Sequence, residues 1–83
     1  MIKILYFAGL REALGISGEE LALPPGVNDV ALLRAHLAER GEAWNALAAT
    51  RNLRTAVNQR LAGAAATLAD GDEVAFFPPV TGG

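Results

Sequence analysis

The chain opens on an apolar run, Ile2 to Ala8, broken once by Lys3. The run is short and rich in β-branched and aromatic residues, which predicts a strand over residues 2–8. A period of two puts Ile2, Ile4 and Tyr6 on one face and Lys3, Leu5 and Phe7 on the other. An unpaired lysine is rarely buried, so Ile2, Ile4 and Tyr6 are expected in the core and Leu5 and Phe7 on the solvent side. The last apolar run, "EVAFF" at 73–77, predicts a final strand with the same tension. Val74 and Phe76 share one face, and a solvent-facing Glu73 takes Phe77 outward with it. Leu5, Phe7 and Phe77 together predict a contiguous exposed apolar patch, the mark of an interaction surface. The alternative is a bulge that turns Phe77 inward.

Between these runs the strongest signal is helical. Val30, Leu33 and Leu37 recur at helical spacing, with Asn28 as the expected N-cap, Asp29 in the first turn, and Arg40 and Gly41 at the end. This predicts a helix over residues 29–40 with one apolar stripe. "LREAL" at 10–14 predicts a short helix bounded by Gly9 and Gly15, and "EELAL" at 19–23 a second strand ended by "PPG". Residues 42–50 suggest a further helical turn. "LRTAVNQRLAG" reads as a hairpin turning at Asn58-Gln59, between Thr55–Val57 and Arg60–Ala62. "GAAA" at 63–66 has no clear identity, and "DGD" at 70–72 is a turn. The order β-α-β-α-β-β-β describes one α+β domain, a mixed sheet with a single substantial helix across one face.

Composition narrows the function by exclusion. With 52% hydrophobic and 19% charged residues the chain is not expected to be disordered. Seven basic against nine acidic residues give a formal net charge of -2, which supplies no positive field for nucleic acid or anionic membrane. There is no cysteine, so disulfides and cysteine-ligated metal are excluded. No stretch is long and apolar enough to span a membrane, and the start makes a poor signal peptide; a cytoplasmic protein is expected. His36 is the single histidine and lies on the flank of the helix stripe. No phosphate-binding glycine motif, metal-ligand cluster or nucleophile elbow occurs. "DGDE" at 70–73 reads as a turn with solvated charge, the arginines are scattered, and Trp44 reads as a satellite of the core.

The remaining chemistry lies in "FFPPVTGG" at 76–83. Pro78 and Pro79 stiffen the segment after the last strand and stop the ladder. Val80 and Thr81 lead to Gly82 and Gly83, which lack a Cβ and fit a narrow passage. The expected organisation is a globular unit over 1–77 and a tail over 78–83. A carboxylate at Gly83 is a poor electrophile until it is activated. An acyl adenylate provides the leaving group, and a sulfur nucleophile then leaves a thiocarboxylate. Such a carrier needs no catalytic side chain of its own. The pattern alone leaves isopeptide conjugation and an inert recognition tail open.

"MIKILYFAGLREALG" and "VNQRLAGAAATLADGDEVAFFPPVTGG" closely resemble the family of small, sulfur-carrying subunits of molybdopterin synthase, within the ubiquitin-like β-grasp sulfur carriers. "DGDEVAFFPPVTGG" is the most specific part; a thiamine-pathway carrier also ends in Gly-Gly but fits the length and "FFPPVTGG" less well. The resemblance implies a β-grasp sheet holding a helix. It implies that Gly83 is adenylated by an ATP- and Mg-dependent activating enzyme and thiocarboxylated with sulfur from a donor enzyme. The charged tail then enters the active site of a large catalytic subunit, in an assembly of two small and two large subunits, and gives sulfur to cyclic pyranopterin monophosphate. The small subunit binds no cofactor and carries no catalytic side chain. Its docking surface maps to Phe7, Leu61 and Phe77, with Arg11 and Arg60 as candidate partners for acidic groups.

Overall fold

The computed structural model describes residues 1–50 and 52–79. Five strands form one mixed sheet: β1 (Ile2–Tyr6), β2 (Gly18–Leu21), β3 (Arg54–Val57), β4 (Arg60–Ala62) and β5 (Glu73–Phe77). They are ordered β2-β1-β5-β3-β4. The central pair, β1 and β5, is parallel, and the other three pairings are antiparallel. Helix α1 (Ala8–Leu14) follows β1, and α2 (Val30–Ala38) crosses one face. A 3-10 turn (Glu42–Asn45) and the short α3 (Ala46–Ala49) lead from α2 to β3. This is the ubiquitin-like β-grasp arrangement expected from the pattern and the resemblance.

The predicted alternation sets the core. Ile2, Ile4, Tyr6, Val74 and Phe76 face inward and are almost fully buried, and they meet Val30, Leu33 and Leu37 of α2. Leu10, Leu47 and Leu68 close the cluster. Trp44 packs against its edge, with its ring 5.5 Å from Tyr6 in an edge-on contact.

Element ends differ from the sequence expectation for local reasons. β1 stops at Tyr6 because α1 starts at Ala8, which places Gly9 inside that helix rather than before it. Gly15 ends α1 in the left-handed region, at φ 77°. β2 spans Gly18–Leu21 rather than residues 19–23. α2 is shorter than residues 29–40, and its N-cap is Asp29, not Asn28. Asp29 is extended, and its carboxylate accepts from the Leu32 N–H at 2.8 Å. The first two N–H groups of α2 are taken by the unassigned segment: Val30 donates to the Ala66 carbonyl and Ala31 to that of Ala64. The three N–H groups that follow the cap are thus satisfied, and Leu33 makes the first intrahelical bond, to the Asp29 carbonyl. At its other end the cap is Glu39, so Gly41 is not the stop.

The hairpin turns as expected, with Asn58 at φ 51° and Gln59 at φ 68°, the pair of positive angles that suits a two-residue connection. The "DGD" turn is held as well as charged. Asp72 accepts from the Asn58 amide at 3.0 Å and the Ala69 N–H at 2.8 Å. The Asn58 hydrogen bond first, then that from Ala69, holds the Asp72 carboxyl below its usual range.

Candidate functional site

The outer face of the sheet follows from register. Ala75 lies beside Leu5 on β1 and Ala56 on β3, and Ala56 lies beside Leu61 on β4. One row across the sheet is therefore Leu5, Ala75, Ala56, Leu61. The next row toward the end of β5 holds Phe77 in register with Arg54. Phe7 continues that row one residue past β1: its N–H donates to the Phe76 carbonyl at 3.2 Å, and its backbone stays extended. The row on the other side is charged, with Lys3 in register between Glu20 and Glu73. The surface is an apolar band with a charged border, of the form expected of an interaction surface.

Phe7 and Leu61 are 44% and 70% exposed. Phe77 is half-buried but faces outward, since pairing with β3 runs unbroken to Arg54 and leaves no room for a bulge. The backbone enforces the exposure of Phe7. Ala8 takes φ 53°, a left-handed angle that turns α1 away immediately after Phe7. At the flank, Gly18 sits beside Leu5, and a Cβ there would lie 2.8 Å from the Ile4 carbonyl oxygen. The position admits no side chain without a shift of backbone.

The structure therefore brings Phe7, Leu61 and Phe77 onto one face of the sheet. It divides the expected cations. Arg11 is exposed on α1. Arg60 pairs with Val57, so it belongs to the opposite row of β4 from Leu61. Arg54 shares the apolar face, in register with Phe77, and sequence reasoning did not select it. The alternation that buries Thr55 was the available signal, because it turns Arg54 outward with Ala56. Pro78 and Pro79 follow directly and are half-buried. Val80, Thr81, Gly82 and Gly83 lie outside the described residues.

On the inner side a polar clasp ties β1, β2 and the end of α2 together. The Tyr6 hydroxyl donates to Glu19 Oε2 at 3.0 Å, and Arg40 Nη1 donates to the same oxygen at 2.7 Å. The Arg40 guanidinium lies 4.7 Å from the centre of the Trp44 ring. Burial, followed by the Glu19 contact, pushes the Tyr6 phenol well above its ordinary range. Burial of Glu19 opposes its charge, but the hydrogen bonds from Arg40 and Tyr6 outweigh it and hold the carboxyl below its usual value. These groups are spoken for, so the clasp is a structural joint rather than an acid-base pair. Among the described residues no cluster of His, Asp or Glu is placed to hold a metal ion. No helix among them is long and apolar enough to cross a membrane.

Comparison with known proteins agrees with this geometry. The chain matches the ThiS family over residues 4–83. It is 46% identical, over the whole of both chains, to the molybdopterin synthase sulfur carrier subunit of Escherichia coli (strain K12). Among solved structures it is similar to a putative molybdopterin converting factor, subunit 1, from Pyrococcus furiosus. That match has a TM-score of 0.78 and 31% identity, and covers 95% of this chain and 97% of the other. It is also similar to a chain in the complex of subunits 1 and 2 of the molybdopterin-converting factor from Helicobacter pylori 26695. There the TM-score is 0.63 at 26% identity, over 99% of this chain and 97% of the other. The chain belongs to the ThiS family and, within it, to the group of molybdopterin synthase sulfur carrier subunits.

Proposed function

We propose that this protein is the sulfur carrier subunit of a molybdopterin synthase, a non-catalytic partner that docks by the outer sheet face and delivers sulfur on Gly83. The observation that carries the reading is continuity. The strand that presents Phe77 to the docking face runs directly into Pro78 and Pro79, so docking that face fixes where the tail departs.

The chemistry needs only the terminal carboxyl. Its oxygen attacks the α-phosphorus of ATP and releases pyrophosphate, in an activating enzyme that supplies ATP and Mg. A sulfide equivalent from a donor enzyme then displaces AMP, leaving a thiocarboxylate. In the large subunit the thiocarboxylate sulfur bonds to a side-chain carbon of cyclic pyranopterin monophosphate as a C–O bond at that carbon breaks, its oxygen leaving on the phosphate or as water. Water cleaves the resulting acyl–sulfur bond, so Gly83 returns to a carboxylate and is recharged. Two deliveries supply the two dithiolene sulfurs, which suits an assembly of two small and two large subunits. Glycine at 82 and 83 matters because the tail must pass where a Cβ does not fit.

Deleting Gly83 tests the reading. Sulfur transfer in a reconstituted synthase is expected to vanish, while the melting temperature and the affinity for the large subunit stay at their wild-type values. Retained transfer by the deletion variant overturns it.

A further inference from the structure

A groove of about 760 Å³ runs between α2 and the β3–β4 hairpin. It falls within the ~300–1,000 Å³ usual for binding clefts. Its walls are small, with Ala31 and Ala35 on one side and Ala62 and Ala64 on the other, and two cations, Arg34 and Arg54, are among the residues that line it. Among the described lining residues there is no carboxylate. Arg34 gives its Nε–H to the Leu47 carbonyl and an Nη2–H to that of Thr50 at 3.1 Å. Both acceptors are neutral, so its charge is not offset there. Arg54 forms no ion pair among the described residues.

The groove is not separate from the docking face. Leu61 and Arg54 belong to both, and β4 is the edge strand around which the two surfaces meet. Pro79, where the tail sets out, lines the groove as well.

We infer that the groove is a second docking element for the large subunit. It takes an extended segment of that protein in which a carboxylate is flanked by small apolar residues. This rests on the proposed docking of the sheet face. The partner chain passes over Leu61, rounds the β4 edge, and lays its apolar residues on the alanine walls. Its carboxylate meets Arg54 and Arg34. The segment thereby fixes the partner beside Pro79 and sets the direction in which the tail enters.

Affinity for the large subunit, measured by calorimetry, tests the inference with three variants. Ala35→Trp fills the groove from an exposed position on α2, the helix that packs on the inner face of the sheet. Arg54→Glu reverses the charge shared by groove and face. Phe7→Asp reports on the sheet face alone. Ala35→Trp and Arg54→Glu are each expected to weaken binding about tenfold or more, with unchanged melting temperatures. Labelled alanine methyls in the wild-type groove are expected to shift on complex formation. Wild-type affinity for Ala35→Trp, together with unshifted groove methyls and a weakened Phe7→Asp variant, overturns the groove and leaves the sheet face standing. Wild-type affinity for all three variants overturns both.

Discussion

Phe76 and Phe77 are neighbours on one strand with the same side chain and opposite duties. Phe76 is fully buried among Tyr6, Val74 and the α2 stripe, and its ring stacks 6.3 Å from that of Tyr6. Phe77 lies on the other face, in the row with Phe7 and Arg54. The two faces of the sheet thus use similar apolar residues for different ends. The inner face is satisfied by the chain's own helix. The outer face carries an apolar band although no helix among the described residues packs over it, and its border is charged. A sheet that served stability alone would alternate apolar and polar residues cleanly.

The sharpest way to break the comparison is to truncate each phenylalanine in turn. Phe76→Ala is expected to cost ~3–5 kcal/mol of folding stability by chemical denaturation, because it leaves a cavity in the packed core. Phe77→Ala is expected to cost under ~1 kcal/mol of stability, and ~2 kcal/mol or more of affinity for the large subunit. Equal stability losses at both positions would erase the distinction. Phe7→Asp sharpens it from the binding side: a charge desolvated in an apolar interface is expected to cost ~2 kcal/mol or more of affinity, with stability unchanged within ~0.5 kcal/mol.

Smaller effects probe the clasp under the inner face. Tyr6→Phe removes the hydroxyl given to Glu19 and is expected to cost ~0.5–1.5 kcal/mol, read by denaturation. The clasp also sets a pH dependence. Glu19 has a folded value below its unfolded one, so its contribution is present above the ordinary carboxylate range and is lost as pH falls through the lowered value. Tyr6 has a raised value, so its contribution is present below about pH 10 and declines as pH rises beyond it. Glu19→Gln is expected to flatten part of the acid limb of a stability–pH curve. An unchanged acid limb would show that the clasp carries no linkage. The smallest effect is expected at Ala8. Its left-handed backbone is cheaper for glycine, and Ala8→Gly is expected to gain at most ~1 kcal/mol.

Much of the fold was legible because strands and helices repeat on different periods. Ile2, Ile4 and Tyr6 against Lys3 fixed which side of β1 is buried, and Val30, Leu33 and Leu37 fixed the helix stripe. The outward phenylalanines, Phe7 and Phe77, were visible for the same reason, as residues on the wrong side of an alternation. What escaped depends on contacts distant in sequence. The Asn28 N-cap expectation failed because the Asn28 carbonyl accepts from Leu68 while Asp29 bridges to Thr67 in an extended conformation. Residues 63–66 had no signature because their task falls to the backbone carbonyls of Ala64 and Ala66, which any side chain permits. Alternation alone turns Arg54 outward with Ala56, but its place beside Phe77 appears only once β3 is registered against β5. Arg60 looked as suitable in sequence, yet alternation places it on the other side from Leu61.

The central claim is that the end of the chain, rather than any side chain, carries the chemistry. Intact mass spectrometry tests it most directly, on protein produced together with its activating enzyme and sulfur donor. The account predicts a species about 16 Da heavier, from one oxygen replaced by sulfur, with the increment confined to the C-terminal peptide and absent when Gly83 is deleted. Unmodified protein alone, under conditions that charge a related carrier in parallel, would contradict it.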